Sequence, residues 1–194
     1  MIGRNTIRCL ACDPGSVTFG WSLLEYDLTT GHVTVLKSGT ILGKTLVKQQ
    51  VKLQAQFEKR YIVLWELEKL LVEMITEFKP DYVVSESAFS HRFAQTFAVL
   101  TMVVQAIRTA AMRTLGRDIH LIAPRESKKA VSHNGAADKA TVQDAIFNNP
   151  NITINVTKNN TIADITEHAY DSIAAGMAFV QNYLPALIAC EKLI

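Results

Sequence analysis

No uninterrupted apolar run in the 194 residues approaches the ~20 that a membrane-spanning helix needs. The longest candidate, Phe97–Ile107, is short and carries Thr101 and Gln105. The opening stretch Met1–Asp13 has no apolar signal region ending in a small-residue cleavage site, so a cytoplasmic, soluble protein without membrane contact is expected. Cysteine is scarce and odd in number. Cys9, Cys12 and Cys190 therefore read as reduced thiols, not as a disulfide framework. Cys9 and Cys12 have the C-x-x-C spacing of a zinc half-site, but no second pair completes it. They also fall in a predicted strand, where residues i and i+3 point to opposite faces, so both are expected in the core. Asn151, Asn155 and Asn159 each begin a glycosylation sequon, which without secretion is only an Asn/Thr-rich stretch. Internal repeats and inter-domain linkers are absent too, and one domain over residues 1–194 is expected. With 48% apolar and 20% charged residues, the composition argues against disorder.

Charge is nearly balanced overall, at +2, but unevenly spread. No acid lies between Ser87 and Arg117, where Arg92, Arg108, Arg113 and Arg117 supply positive charge. Lys44, Lys48, Lys52, Lys59 and Arg60 form a second basic stretch, and Lys128, Lys129 and Lys139 a third. Acids gather instead after Thr161, as Asp164, Glu167, Asp171 and Glu191. An acidic cluster flanked by basic surface suits a metal-dependent enzyme acting on phosphodiesters, although solvated helix faces explain most single lysines equally well.

Hydropathy patterning predicts strands at Ile7–Cys12, Phe19–Tyr26, Val33–Ile41, Tyr82–Ser85 and Ile119–Ile122, the second and third joined at Thr29-Thr30-Gly31. It predicts helices over Val47–Phe78, Phe93–Leu115, Ser127–Val131, Lys139–Asn148 and Asp164–Asn182, with an irregular Asn-rich segment before the last. The order is that of an α/β fold with a five-stranded mixed sheet flanked by helices. Phe97–Met112 is apolar around most of its circumference and needs two partners, the sheet and a second protomer, so a homodimer is expected.

Three features put carboxylates at element ends. Asp13 closes the first strand before the Pro14-Gly15-Ser16 turn, and Glu86 closes the fourth. Asp171 lies in the last helix with His168 at i−3, Glu167 at i−4 and Asp164 at i−7, so all can share one face. Acids at the mouths of apolar strands are costly unless they ligate a cation or find hydrogen-bond partners. If they converge, the oxygen-rich pocket suits Mg²⁺ or Mn²⁺. Taken singly, each has a plainer reading. Asp13 fits as a turn former, Glu86 as a strand-end surface group, Asp164 as a capping partner of Thr161, and Glu167 as an exposed residue.

The motifs Asp13-Pro14-Gly15-Ser16 and Glu86-Ser87-Ala88-Phe89 are followed by Ala123-Pro124 with Lys128, the run Gly135–Lys139, and His168–Asp171. In that order, over Ile7 to Val180, the chain resembles the RuvC family of Holliday junction resolvases. The resemblance implies a ribonuclease-H-like fold, a homodimer, and two divalent ions per active site, Mg²⁺ or Mn²⁺. The implied activity is a crossover junction endodeoxyribonuclease that resolves four-way or other branched DNA by paired nicks through two-metal phosphodiester hydrolysis. By position, Asp13 is implied as the carboxylate bridging both ions, Glu86 as the fourth-strand ligand, and Asp171 as the second acid of the family's D-x-x-D motif. The first acid of that motif is replaced by His168, which favours Mn²⁺. Glu167 is the other candidate for its place. Lys128 and Lys139 match phosphate-contacting lysines, Lys139 with a catalytic role, and Phe89 matches an aromatic that stacks on an unpaired base. Arg92 and Lys129 join Phe89 and Lys128 as expected DNA contacts. As plainer readings, Lys139 solvates a helix start and Phe89 is core. Lys44–Arg60 and the Asn-rich segment depart from the bacterial pattern and point to a phage-encoded member in an infected host.

Competing readings remain at this level. Sugar-kinase-like and actin-like ATPases share the Asp-x-Gly turn but need two such domains. A branched-DNA-binding module without catalysis, or a related nuclease for other branched or hybrid substrates, uses the same fold.

Overall fold

The computed structural model describes residues 5–88, 94–155 and 165–191. Its centre is β1 (Thr6–Asp13), an eight-residue strand with neighbours on both sides. β2 (Thr18–Asp27) pairs with it antiparallel through the Pro14-Gly15 turn, with Asp13 opposite Gly20. β3 (Val33–Leu42) continues the meander. The turn between them is closed by the Asp27 carboxylate, which accepts from the Thr29 and Thr30 amides, and by Gly31 at φ 74°. That φ suits glycine because it has no Cβ to clash.

The helical stretch that follows is three helices where the sequence pattern suggests one: α1 (Gly43–Gln49), α2 (Val51–Gln54) and α3 (Lys59–Phe78). The chain leaves helical geometry at Gln50 and again at Glu58. Lys79, in the left-handed region, ends α3. β4 (Tyr82–Glu86) then runs parallel to β1. α4 (Ala94–Leu115) crosses back to β5 (His120–Ile122), parallel to β4. Two short helices, α5 (Pro124–Ser132) and α6 (Lys139–Phe147), precede α7 (Glu167–Asn182) and α8 (Leu184–Glu191).

Among the described residues the sheet has six strands, in the order β5-β4-β1-β2-β3-β6, and not the five expected. The extra one is β6 (Ile152–Ile154), parallel to Val33–Val35 at the edge. It lies in the Asn-rich segment read as irregular. Three residues carry too little alternation to be recognised, and the pairing that makes them a strand is more than a hundred residues away in sequence.

Strand alternation divides the core in two. Cys9, Ala11, Tyr82 and Val84 face α5, α6 and α7. Leu10, Cys12 and Val83 face α1, α3 and α4. Cys9 and Cys12 are thus buried free thiols on opposite faces, and burial pushes both far above their ordinary range. Among the described residues, no single helix is long and apolar enough to cross a membrane.

Candidate active site

The alternation that sorts the core also aims the carboxylates. Asp13 continues the series Cys9, Ala11, and Glu86 continues Tyr82, Val84, so both point to the α7 side of the sheet. Cys12 is in register with Ser85 on the adjacent parallel strand, so the two acids end neighbouring strands. From Ala169 to Val180, α7 is buried at every residue but Asp171. The site's third acid, Asp171, is therefore the one charged residue and the one break in burial along that stretch, and it lies where the strands end.

Two local features set α7 in place. The Thr166 hydroxyl caps the helix by accepting from the Ala169 amide, and it also meets the Thr40 hydroxyl of β3. Gly20 lets the first turn come down on β2. A Cβ there would lie 2.1 Å from the His168 carbonyl oxygen.

The result is a tight group. One ligand atom from each of Asp13, His168 and Asp171 lies within 4.8 Å of the others, and His168 Nδ1 is 2.7 Å from Asp13 Oδ2. Burial raises the Asp13 carboxyl to about 6, aided by Asp171 and opposed by His168 and Lys139. Burial likewise raises Glu86, to about 8, with the negative charges of Asp13 and Asp171 adding to it, against a hydrogen bond from the Ser127 hydroxyl. Asp171 is raised by burial as well. Without a cation, Glu86 holds at neutral pH a proton that an ordinary carboxylate releases, and Asp13 and Asp171 keep theirs to higher pH than ordinary carboxylates do. Oxygen donors, one imidazole nitrogen and no sulfur form a set that fits a hard or borderline divalent ion. Asp13, His168, Asp171 and the neighbouring Glu86 are the residues able to hold it.

The lysines differ in placement. Lys139 donates to Glu167 Oε1 at 2.5 Å, and its pKa is raised mainly by that bond, with Asp171 and Asp13 adding to it. Lys128 donates to the Ala137 carbonyl at 2.7 Å and lowers the Glu86 carboxyl through its charge. Lys129 is exposed and faces elsewhere, lining a groove of about 1130 Å³ with Arg125 and His133. Phe89, Arg92, Thr161 and Asp164 lie outside the described residues. Sequence reasoning missed Gly20, Ser127 and Thr166. Of these only Thr166 carried a signal, as a Thr one residue before the acidic start of a helix.

Against known proteins, the profile of the family described as crossover junction endodeoxyribonuclease RuvC matches residues 9–174. The RuvC of Syntrophomonas wolfei is 29% identical over 137 residues, covering 71% of this chain and 72% of that protein. The RuvC of Chlorobium chlorochromatii is 32% identical over 136 residues, 69% of this chain and 62% of the longer relative. Among solved structures, Thermus thermophilus RuvC in complex with a Holliday junction substrate superposes with a TM-score of 0.67 at 16% identity, over 89% of this chain and 92% of that one. At that identity the likeness is one of fold.

Proposed function

The chain belongs to the RuvC family, and from that membership we propose that it is a structure-selective endodeoxyribonuclease that resolves four-way DNA junctions by paired nicks. The observation that carries this reading is the convergence of Asp13, His168 and Asp171 at one partly buried point, with Glu86 on the adjacent strand end. Family members use divalent metal ions. A divalent ion bound here supplies Lewis-acid polarisation of the scissile phosphodiester and activation of water for its hydrolysis.

The chain's own residues do the rest. Asp13, Glu86, His168 and Asp171 would hold two ions, and the raised pKa values of the three carboxyl groups make ion binding compete with protons. Lys139 and Lys128, next to the acids, supply positive charge for the phosphate. His168, a nitrogen donor where the family commonly has a carboxylate, tilts the preference toward Mn²⁺ over Mg²⁺. Phe89 would stack on an unpaired base at the branch, with Arg92 and Lys129 on the flanking backbone. The enzyme works as a homodimer in the cytoplasm, one strand cut per protomer. Support for the dimer is the outward stripe of α4, which ends in the exposed Phe97 and Met112.

The test compares a labelled four-way junction with linear duplex of the same arm sequences, under Mg²⁺ and then Mn²⁺. Paired symmetric nicks on the junction alone are expected, and Asp13→Asn is expected to bind the junction without cutting it. Near-normal cutting by that variant removes Asp13 from the site. Tight binding by the unaltered protein with no cutting in either metal points to a DNA-binding module instead.

A further inference from the structure

We propose that the groove beside α5 is a second DNA-binding surface, which holds the sugar–phosphate backbone of a junction arm while the catalytic acids act on the strand to be cut. The inference rests on the junction reading above and adds a surface to it. Arg125, Lys129 and the capping residue His133 follow one another at intervals of four, so they form one stripe along α5, with a rise of about 6 Å between successive side chains. They line a groove of about 1130 Å³, which Asn149, Asn151 and Gln181 line as well. Arg125 and Lys129 are exposed, and neither pairs with an acid among the described residues. The acid in the lining, Glu126, is engaged elsewhere: one oxygen accepts from Asn182 Nδ2 at 2.9 Å and the other from the Tyr183 hydroxyl at 3.2 Å. Two cations against one hydrogen-bonded carboxylate leave the lining net positive. The amides beside them donate and accept, as contacts to phosphate and sugar require. A linear stripe of donors fits a polyanion with regularly spaced charges better than a single small anion.

The groove also adjoins the candidate active site through two shared elements. On α5, Lys128 turns toward Glu86, and Lys129, about 100° further round the helix, turns into the groove. In the loop after α5, Gly135 lines the groove, whereas the Ala137 carbonyl takes the Lys128 ammonium and Lys139 follows beside the acids. That loop packs closely on the helix, since a Cβ on Gly135 would lie 2.9 Å from the Arg125 carbonyl oxygen. A DNA backbone leaving Lys128 and Lys139 therefore meets the groove as adjoining positive surface. This adjacency favours nucleic acid over an acidic peptide, which has no need to border the acids. Contacts of this kind set affinity and register and carry no sequence information.

The test compares Arg125→Ala/Lys129→Ala with Lys48→Ala/Lys52→Ala, which removes the same charge from exposed positions on α1 and α2. All four side chains are exposed, so both variants keep the fold. Binding of a labelled four-way junction is measured in EDTA over a series of salt concentrations, and single-turnover nicking in Mn²⁺ at saturating protein. The groove variant is expected to bind roughly tenfold more weakly, with the slope of log affinity against log salt reduced by about 2, one for each lost phosphate contact. Its saturated nicking rate is expected to stay within about twofold of the unaltered protein's, because the groove binds without touching the reacting phosphate. Affinity and slope unchanged, or changed equally in Lys48→Ala/Lys52→Ala, overturn the inference and leave the junction reading standing. A saturated rate that falls as far as the affinity puts both residues at the reacting phosphate and overturns the separate groove. Loss of binding to a poly-glutamate peptide, with junction binding intact, overturns it in favour of an acidic partner. An unaltered protein that neither binds nor nicks the junction overturns the junction reading and this inference with it.

Discussion

One methyl group at position 20 is expected to disable the cluster without altering any of its charged residues. In Gly20→Ala the new Cβ would stand 2.1 Å from the His168 carbonyl oxygen, 2.4 Å from its carbon and 2.8 Å from the His168 Cβ. Ordinary contact begins near 3.4 Å, so the two backbones must separate by roughly 1 Å. Neither gives easily. Gly20 is paired with Asp13 in the ladder, and the start of α7 is tied to β3 through Thr166 and Thr40. Overpacking of this kind costs ~1–3 kcal/mol, which for a chain of this size lowers the melting temperature by about 2–4 °C per kcal/mol. The 2.7 Å approach of His168 to Asp13 cannot survive such a shift. A misplacement of about 1 Å costs on the order of 10²-fold in rate. The assay is nicking of an end-labelled four-way junction below the melting temperature of the variant, with Mn²⁺ affinity measured alongside. Gly39→Ala is the control, because the three atoms nearest its Cβ all belong to the Trp21 ring, at 3.1–3.2 Å, and a side chain can yield. Nicking and ion affinity in Gly20→Ala equal to those of Gly39→Ala would refute the reasoning.

Two further perturbations address the electrostatics. Glu86 and Asp13 titrate at about 8 and about 6 when folded, above the ordinary 4.5 and 3.8, so their stabilising protons are fully bound below pH ~4 and are lost as pH rises through 6 and 8. At about 1.4 kcal/mol per pK unit, the ion-free protein should melt several degrees lower at pH 8.5 than at pH 5. Glu86→Gln should flatten the upper part of that slope, and equal slopes in EDTA would contradict the assignment. For His168→Asp, the ratio of junction-cutting rates in Mn²⁺ and Mg²⁺ should fall toward unity, since an all-oxygen set suits Mg²⁺. A ratio that stays at the unaltered protein's value would detach the metal preference from this residue.

Much of the site could be read from local pattern, and the parts that could not are those that depend on where a distant element lands. The turn after Asp13 and the strand end at Glu86 are marked by neighbours in sequence, and period-two alternation then aims both acids at one face. His168 and Asp171 follow from helical spacing alone. The same logic failed where apolar spacing was mistaken for burial. Val51 and Phe57 extend the helical pattern back toward Val47, yet they are 72% and 49% exposed, and the chain breaks at Gln50 and Glu58. Lys128 and Lys129 read as one basic pair, but consecutive helical residues point about 100° apart, and only Lys128 reaches the acids. Gly20 has no local signature, since its need for a missing side chain arises only when α7 docks on it.

Position and charge together explain why such a cluster is stable enough to exist. Asp13, Glu86 and Asp171 are held close by strand pairing and helix packing, whose apolar contacts extend over both faces of the sheet. Each carboxyl group is raised chiefly by burial, and Asp13 and Glu86 are raised further by neighbouring carboxylates, so it is the fold that forces them together. The nearby lysines relieve only part of this, because Lys139 is paired with Glu167 and Lys128 with a carbonyl. Protons offset the repulsion at low pH, and at neutral pH a divalent cation does so better, with two charges and a preference for oxygen. The strain that makes the ion-free site unstable as pH rises is therefore the same free energy that binds the ion. A variant that relieves the repulsion, such as Glu86→Gln, gains stability at pH 8 and loses ion affinity by the same linkage.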